Sequence, residues 1–202
     1  MWRESPVVRV VAGRLRGRQL RTVRGQAVRP TSDRVKTCIF DTLGSRVEGA
    51  EVLDLFAGSG ALGIEALSRG AARVVFVERS PRVLLMLQKN IATLGLTSQV
   101  EVVCADVLRY LHGWRRAVPF DLILADPPYA FSAYEALLGA VAEKGLLSSA
   151  GVLVLEHRRE VHPASSSPRL QLLRRRDFGT TAVTWFIMRG EAHEDRHLPR
   201  NL

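Results

Sequence analysis

The tetrapeptide Asp126-Pro127-Pro128-Tyr129 follows an apolar run, Phe120 to Ala125, that reads as a strand. Asp-Pro-Pro on its own can serve simply to end a strand and turn the chain. At the carboxyl edge of a parallel strand it would stand where open α/β sheets bind their ligands. One chemistry that acceptors fixed at such an edge could serve is attack by an amino group carried on an aromatic base. Such an amine is a weak nucleophile because its lone pair is spread into the ring. The Asp126 carboxylate and the Pro127 carbonyl can accept its hydrogens, turn the lone pair toward an electrophilic carbon and steady the developing positive charge. Asp126 could also take the departing proton, or serve as acceptor alone. The two prolines fix the backbone so that the acceptors are aimed beforehand, and orientation of this kind is worth about 7–11 kcal/mol. Tyr129 offers a ring face on which a base can stack. No metal is needed for such a displacement.

A second constellation lies upstream, where Val52-Leu53-Asp54-Leu55-Phe56-Ala57-Gly58-Ser59-Gly60 reads as a strand running into a glycine-rich turn and a helix start. Turns of this kind bring a ligand against backbone and the positive helix end. Gly58, Gly60 and Gly63 also satisfy the dinucleotide fingerprint, with Glu78 at the end of the next strand 20 residues beyond Gly58. On these residues NAD and S-adenosylmethionine are both candidates, and in either case Glu78 would bind the ribose hydroxyls of an adenosine. Asp54 tilts the choice, because a pyrophosphate would sit poorly beside it whereas a sulfonium and an ammonium would be favoured. The run from Asp54 to Gly60 resembles the first motif of class I methyltransferases. That resemblance places Phe56, Gly58, Ser59 and Gly60 at the cofactor, and Asp106-Val107 where the family reads adenine. The plainer role for Asp106 is the N-cap of a short helix. The tetrapeptide at 126 resembles the (Asp/Asn/Ser)-Pro-Pro-(Tyr/Phe) motif of amino-group methyltransferases.

These residues need a scaffold, and the chain's periodicity supplies one. From Glu51 onward, apolar strands at 51–56, 72–78, 99–104, 121–125 and 151–156 alternate with amphipathic helices, the pattern of a parallel sheet covered on both faces. Ser80-Pro81 marks one helix start and Gly95 its stop. Ser132 with Glu135 predicts a capping box. Residues 170–176 and 181–188 predict a terminal hairpin around Gly179. Ahead of the sheet, 7–12 and 15–20 read as a short basic β-hairpin across Gly13, with Gly17 as a bulge and Arg14, Arg16 and Arg18 sharing one face. Thr31 or Ser32 would cap a helix carrying Val35, Cys38, Ile39, Thr42 and Leu43. The expected fold is therefore an α/β, Rossmann-like class I methyltransferase sheet, mostly parallel with a terminal antiparallel hairpin, preceded by a small β-hairpin and helix. The expected units are a basic extension over 1–30, a methyltransferase domain over 31–189 and a frayed tail over 190–202.

The net charge of +9 points to a polyanionic partner, and residues 1–36 concentrate it, with ten basic residues against Glu4 and Asp33. At 202 residues, 47% of them apolar, the chain suits one domain, and no apolar run approaches the roughly 20 residues of a membrane span. The first residues lack a secretory signal, so a cytoplasmic location is expected. Cys38 and Cys104 sit among apolar neighbours and read as buried thiols, not as a disulfide or metal pair. His193-Glu194-x-x-His197 matches a zinc-protease pattern but lies in the charged tail.

Three segments together narrow the family: Val10-Val11-Ala12-Gly13-Arg14 with Leu15-Arg16-Gly17-Arg18, then Arg29-Pro30-Thr31-Ser32-Asp33-Arg34-Val35-Lys36, then the two chemical motifs. Over about residues 8–190 the chain resembles the bacterial 16S ribosomal RNA guanine-N2 methyltransferases of the small subunit. Tyr129 stands where many members have Phe, which keeps the stacking surface. The resemblance implies S-adenosylmethionine as cofactor and the guanine at 16S position 966 as target, in a small-subunit particle, by a monomer without metal or membrane. It further implies that Arg29, Thr31 and Asp33 line the cofactor or target pocket. Arg9, Arg14, Arg16, Arg18, Arg29 and Arg34 are the candidate RNA contacts, with Thr31 among the cofactor contacts. Other readings stay open on sequence: a DNA adenine methyltransferase, a nicotinamide dehydrogenase, and a non-enzymatic ribosome-assembly factor on this fold.

Overall fold

Backbone groups at the front of the chain are satisfied by the domain behind them more than by each other. Strands β1 (Val8–Arg9) and β2 (Gln19–Leu20) pair antiparallel, but residues 14–17 form a turn. The predicted strand over 15–20 is therefore shorter, and Arg14, Arg16 and Arg18 do not share a strand face. The cause is a buried carboxylate. Glu65 accepts from the Val11 and Ala12 amides at 2.7 and 3.0 Å, and Ser68 Oγ accepts from the Leu15 amide at 2.9 Å, so these groups bind a helix instead of a ladder. At Gly13, with φ +78°, an added Cβ would lie 1.9 Å from the Ser68 carbonyl oxygen. Val8, Val10 and Leu20 join the main core.

The structure is a computed structural model that describes residues 8–22, 32–114 and 118–189. Helix α1 (Asp33–Leu43) starts at Ser32, whose Oγ accepts from the Val35 amide at 3.3 Å. Then follow β3 (Glu51–Leu55), α2 (Ala61–Ser68), β4 (Arg73–Glu78), α3 (Pro81–Thr93), β5 (Val100–Cys104), α4 (Val107–His112), β6 (Phe120–Ala125), α5 (Tyr134–Glu143) and β7 (Leu147–Arg158). The chain closes with β8 (Leu170–Phe178) and β9 (Thr181–Met188). The seven long strands form one sheet in the order β5-β4-β3-β6-β7-β9-β8, in which β9 alone runs opposite to the other six. Strands β3 and β4 are buried on both faces, which is why β4 reads as the unbroken apolar run Val74–Val77 and β3 as an apolar run broken only by Asp54. One core contains residues of α1, α2, α3 and the front hairpin, the other residues of α4 and α5.

Two expectations need correction. Helix α5 is capped by Ala133 without a side-chain bond, so Ser132 and Glu135 form no capping box. The Phe131 amide donates to the Pro128 carbonyl at 2.8 Å, and Phe131 packs edge-on against Tyr134 at 5.1 Å. The Pro-Pro turn and this aromatic contact, not a hydroxyl, set the helix entry. The thiols are free but not buried: Cys38 is half-buried, and Cys104 is exposed at the end of the edge strand β5, where no further strand covers it. Among the described residues, no helix is long and apolar enough to cross a membrane. The His193 and His197 pair and the tail lie outside the described residues.

Candidate active site

In the sheet order, β3 lies between β4 and β6, so the chain departs to opposite sides at the β3–β6 junction. A crevice opens at the carboxyl ends of strands at such a switch point. A cleft of about 640 Å³ is found there. Its walls come from the ends of β3, β4, β5, β6 and β7, which is how residues scattered from Phe56 to Thr181 meet.

On the first side, β3 runs into Phe56, a non-glycine residue held at φ +60°. Strain of this kind is tolerated where the surrounding structure dictates it, often at functional sites. Here the Ala57 amide donates to the Val77 carbonyl at 3.1 Å, and Phe56 packs edge-on to Phe131 at 5.1 Å. Glu78 shapes the turn: Oε2 accepts from the Gly58 amide at 3.1 Å and Oε1 from the Ser80 amide at 2.8 Å. An ionised carboxylate has about four acceptor positions, so ribose hydroxyls could still be bound. Gly60 caps α2 at φ +84°, and a Cβ there would meet Leu87 at 2.5 Å. Asp106 caps α4, its Oδ1 accepting from the Arg109 amide at 3.1 Å, and it also lines the cleft. The capping and adenine-facing roles are compatible.

Asp54 is 2% exposed, and its Oδ2 accepts from the Gly63 amide at 2.8 Å. Burial pushes its carboxyl well above the usual range. The Gly63 bond opposes this, and the charges of Asp126 and Glu78 add to it. Asp54 thus braces the turn from within. Asp54, Ser59 and Gly60 are not among the residues lining the cleft, whereas Phe56, Gly58, Glu78, Asp106 and Val107 are.

On the second side, Asp126, Pro127, Pro128 and Tyr129 follow β6 and line the same cleft. Asp126 is half-buried, Pro127 buried and Tyr129 42% exposed. The Arg158 guanidinium lies 4.9 Å from the centre of the Tyr129 ring. Tyr134, below it, has its phenol pKa raised by burial, with Arg158 opposing and Asp126 adding to the rise.

Sequence reasoning missed the wall supplied by Glu156, His157 and Arg158 at the end of β7. A polar triplet directly after the apolar run Val152–Leu155 was the signal available, because the next strand over from Asp126 must end at the same crevice. His157 Nδ1 lies 2.8 Å from the Arg158 carbonyl, which only accepts, so Nδ1 carries the hydrogen. Burial lowers the His157 pKa, helped by Arg175 and His162 and opposed by the Arg158 carbonyl and Asp177. The ring is then neutral, and Nε2 accepts from the Thr184 hydroxyl at 2.8 Å. Asp33, expected at the pocket, is not among the lining residues and instead bonds Arg9 at 2.7 Å and Lys36 at 3.4 Å. Arg29 and Thr31 lie outside the described residues.

Comparison with known proteins agrees with this architecture. A family model described as Conserved hypothetical protein 95 matches residues 8–187. The Ribosomal RNA small subunit methyltransferase D of Haemophilus influenzae is 38% identical over 154 residues, 76% of this chain and 80% of that protein. Its Escherichia coli K12 namesake is 34% identical over 156 residues, covering 77% of each. The solved structure of the Escherichia coli protein yhhF superposes with a TM-score of 0.81 at 29% identity, covering 92% of this chain and all of that one. Shared fold, matched span and identity agree that this chain belongs to the Conserved hypothetical protein 95 family, whose range here includes both the glycine turn and Asp-Pro-Pro-Tyr, and groups with the small-subunit ribosomal RNA methyltransferases D.

Proposed function

We propose that this chain transfers a methyl group from S-adenosylmethionine to the N2 amine of a guanine in 16S ribosomal RNA. Its named relatives are ribosomal RNA methyltransferases of the small subunit, which supports the cofactor and the RNA class. The observation that carries the finer reading is the placement of Asp126-Pro127-Pro128-Tyr129 on one wall of a cleft whose other wall holds Glu78 and Asp106. Glu78 and Asp106 suit an adenosine's ribose hydroxyls and base amine, and the cleft volume suits a cofactor with a flipped base. When bound, the cofactor supplies an electrophilic methyl on a sulfonium. Asp126 and the Pro127 carbonyl accept the hydrogens of the amine, aim its lone pair and take up the positive charge it gains. Tyr129 stacks against the base, and Arg158 holds that ring from the rim. Arg16, Arg18 and Arg34, exposed on the front segment, bind RNA phosphates, and the chain acts as a monomer without metal.

The test is transfer of labelled methyl from S-adenosylmethionine to small-subunit particles from cells lacking this protein, followed by nucleoside analysis. The expected product is N2-methylguanosine. Label in another nucleoside would keep the methyltransferase and remove the guanine assignment. No label under conditions where the cofactor binds would leave an assembly factor on a methyltransferase fold.

A further inference from the structure

Four carboxylates gather at the carboxyl edge of the sheet, and the chemistry above uses only some of them. Glu156 is 8% exposed, lines the cleft and has no part in binding the cofactor or aiming the amine. Its position relative to Asp126 follows from strand register. β6 and β7 run parallel with Leu124 opposite Val154 and Ala125 opposite Leu155, so Asp126 and Glu156 are the next pair along. Side chains alternate across a strand, and neighbouring strands lie about 4.8 Å apart. Leu124 and Val154 both enter the core on the α1–α3 side of the sheet. Carried one residue past the end of β6, the same alternation puts Asp126 on the face of Glu156, and both line the cleft.

When both are ionised, a pair of neighbouring carboxylates presents only acceptors, and that pattern discriminates among bases. Guanine's amine sits beside a ring N1–H, giving adjacent donors on one edge. In adenine and cytosine the amine adjoins an unprotonated ring nitrogen, whose lone pair would meet the second carboxylate. We infer that Glu156 is the guanine-specifying residue of the site, accepting from the ring N1–H while Asp126 and the Pro127 carbonyl hold the amine. This rests on the reading of the cleft as an amino-group methyltransferase site. A site built to hydrogen-bond a group rejects analogues that lack it far more strongly than an apolar pocket does. Glu156 is thus a binding residue for the base, and the methyl transfer itself does not pass through it.

The experiment replaces the target guanine in the RNA substrate with 2-aminopurine, which keeps the C2 amine but carries a bare N1. Wild-type kcat/KM is expected to fall about 10⁴-fold on this substrate. Glu156→Gln can turn its amide to donate to N1 or accept from N1–H. The gap between the two RNAs should therefore shrink to about tenfold or less, with S-adenosylhomocysteine still raising the melting temperature. Intrinsic differences in amine reactivity cancel when the two ratios are compared. Equal wild-type rates on both RNAs overturn the assignment without any variant. If Glu156→Gln slows both substrates in the same proportion, Glu156 serves the fold and the assignment is again overturned, while the methyltransferase reading stands. If wild type places no label on guanine N2, the reading of the site falls and takes this inference with it.

Discussion

Asp126 and His157 stand on adjacent strand ends but do different work, and single substitutions separate them. On the proposed reaction, removing the Asp126 carboxylate would leave the amine's lone pair unaimed, with the wall built by Glu78 and Asp106 untouched. Asp126→Ala should therefore lower methyl transfer by about 10²–10³-fold, with binding of S-adenosylhomocysteine retained. Loss of that binding in calorimetry would make Asp126 a cofactor or structural residue instead. His157 works through protonation. Its folded pKa lies below the ordinary 6.5, so the unfolded chain takes up a proton first as the pH falls. The stability it contributes is complete above about 6.5 and is lost as the pH drops through the lower folded value. Melting temperature should fall between pH 7 and 5 in the wild type, and His157→Gln should flatten that slope. An unchanged slope would place the acid sensitivity elsewhere. Asp126 was legible in the sequence because Asp-Pro-Pro-Tyr is contiguous. Glu156, His157 and Arg158 left only a polar triplet after an apolar run as a signal, because their meaning depends on β7 lying beside β6 in a given register.

At the scale of elements, the strand–helix alternation from Glu51 was readable because the central strands are covered on both faces, leaving short, mainly apolar runs between punctuated helices. The front hairpin was readable as a unit, but its arginine face was not. Alternation assumes an extended strand, and the turn at 14–17 exists because Glu65 and Ser68, more than fifty residues away, bind its backbone. Asn90 extends the same linkage, its Nδ2 donating to the carbonyls of Arg21 and Ser59 at 3.0 Å each, so that the hairpin's exit and the glycine turn share one side chain. Two glycines of the hairpin allow a clean comparison. Gly13 and Gly17 have φ of +78° and +83°, yet a Cβ at Gly17 meets nothing within 4 Å whereas one at Gly13 overlaps the Ser68 carbonyl. Gly17→Ala should cost only the backbone term, about 1–2 kcal/mol. Gly13→Ala adds displacement of the hairpin from α2 and should cost at least about 3 kcal/mol in urea unfolding. Equal losses would mean that the hairpin is not held by α2.

Across the whole molecule, charge is distributed by a rule the sequence does not show, since some of the front cations are already engaged in the fold. Lys36 is fully buried, donating to the Arg9 carbonyl and pairing with Asp33, and Arg9 pairs with the same carboxylate. Burial would raise the Asp33 pKa, but Arg9 and Lys36 outweigh it and hold the carboxyl below its usual value, so the acid stays charged beside them. Arg16 and Arg18 are exposed and pair with no acid among the described residues. Eight of the nine net charges lie in residues 1–36, but only the unengaged ones release counterions in full when they meet phosphate. In RNA binding measured between 50 and 200 mM salt, the slope of log K against log salt should be steep. Replacing Arg16 and Arg18 with glutamine should reduce its magnitude by about 1.4–1.8, at about 0.7–0.9 per phosphate contact. Arg9→Gln should change it by less, because that guanidinium already faces Asp33. Should the double variant keep the wild-type slope while Arg9→Gln alters it, the RNA would lie along α1 and not across the hairpin turn, and the exposed Arg34 would be the next residue to replace.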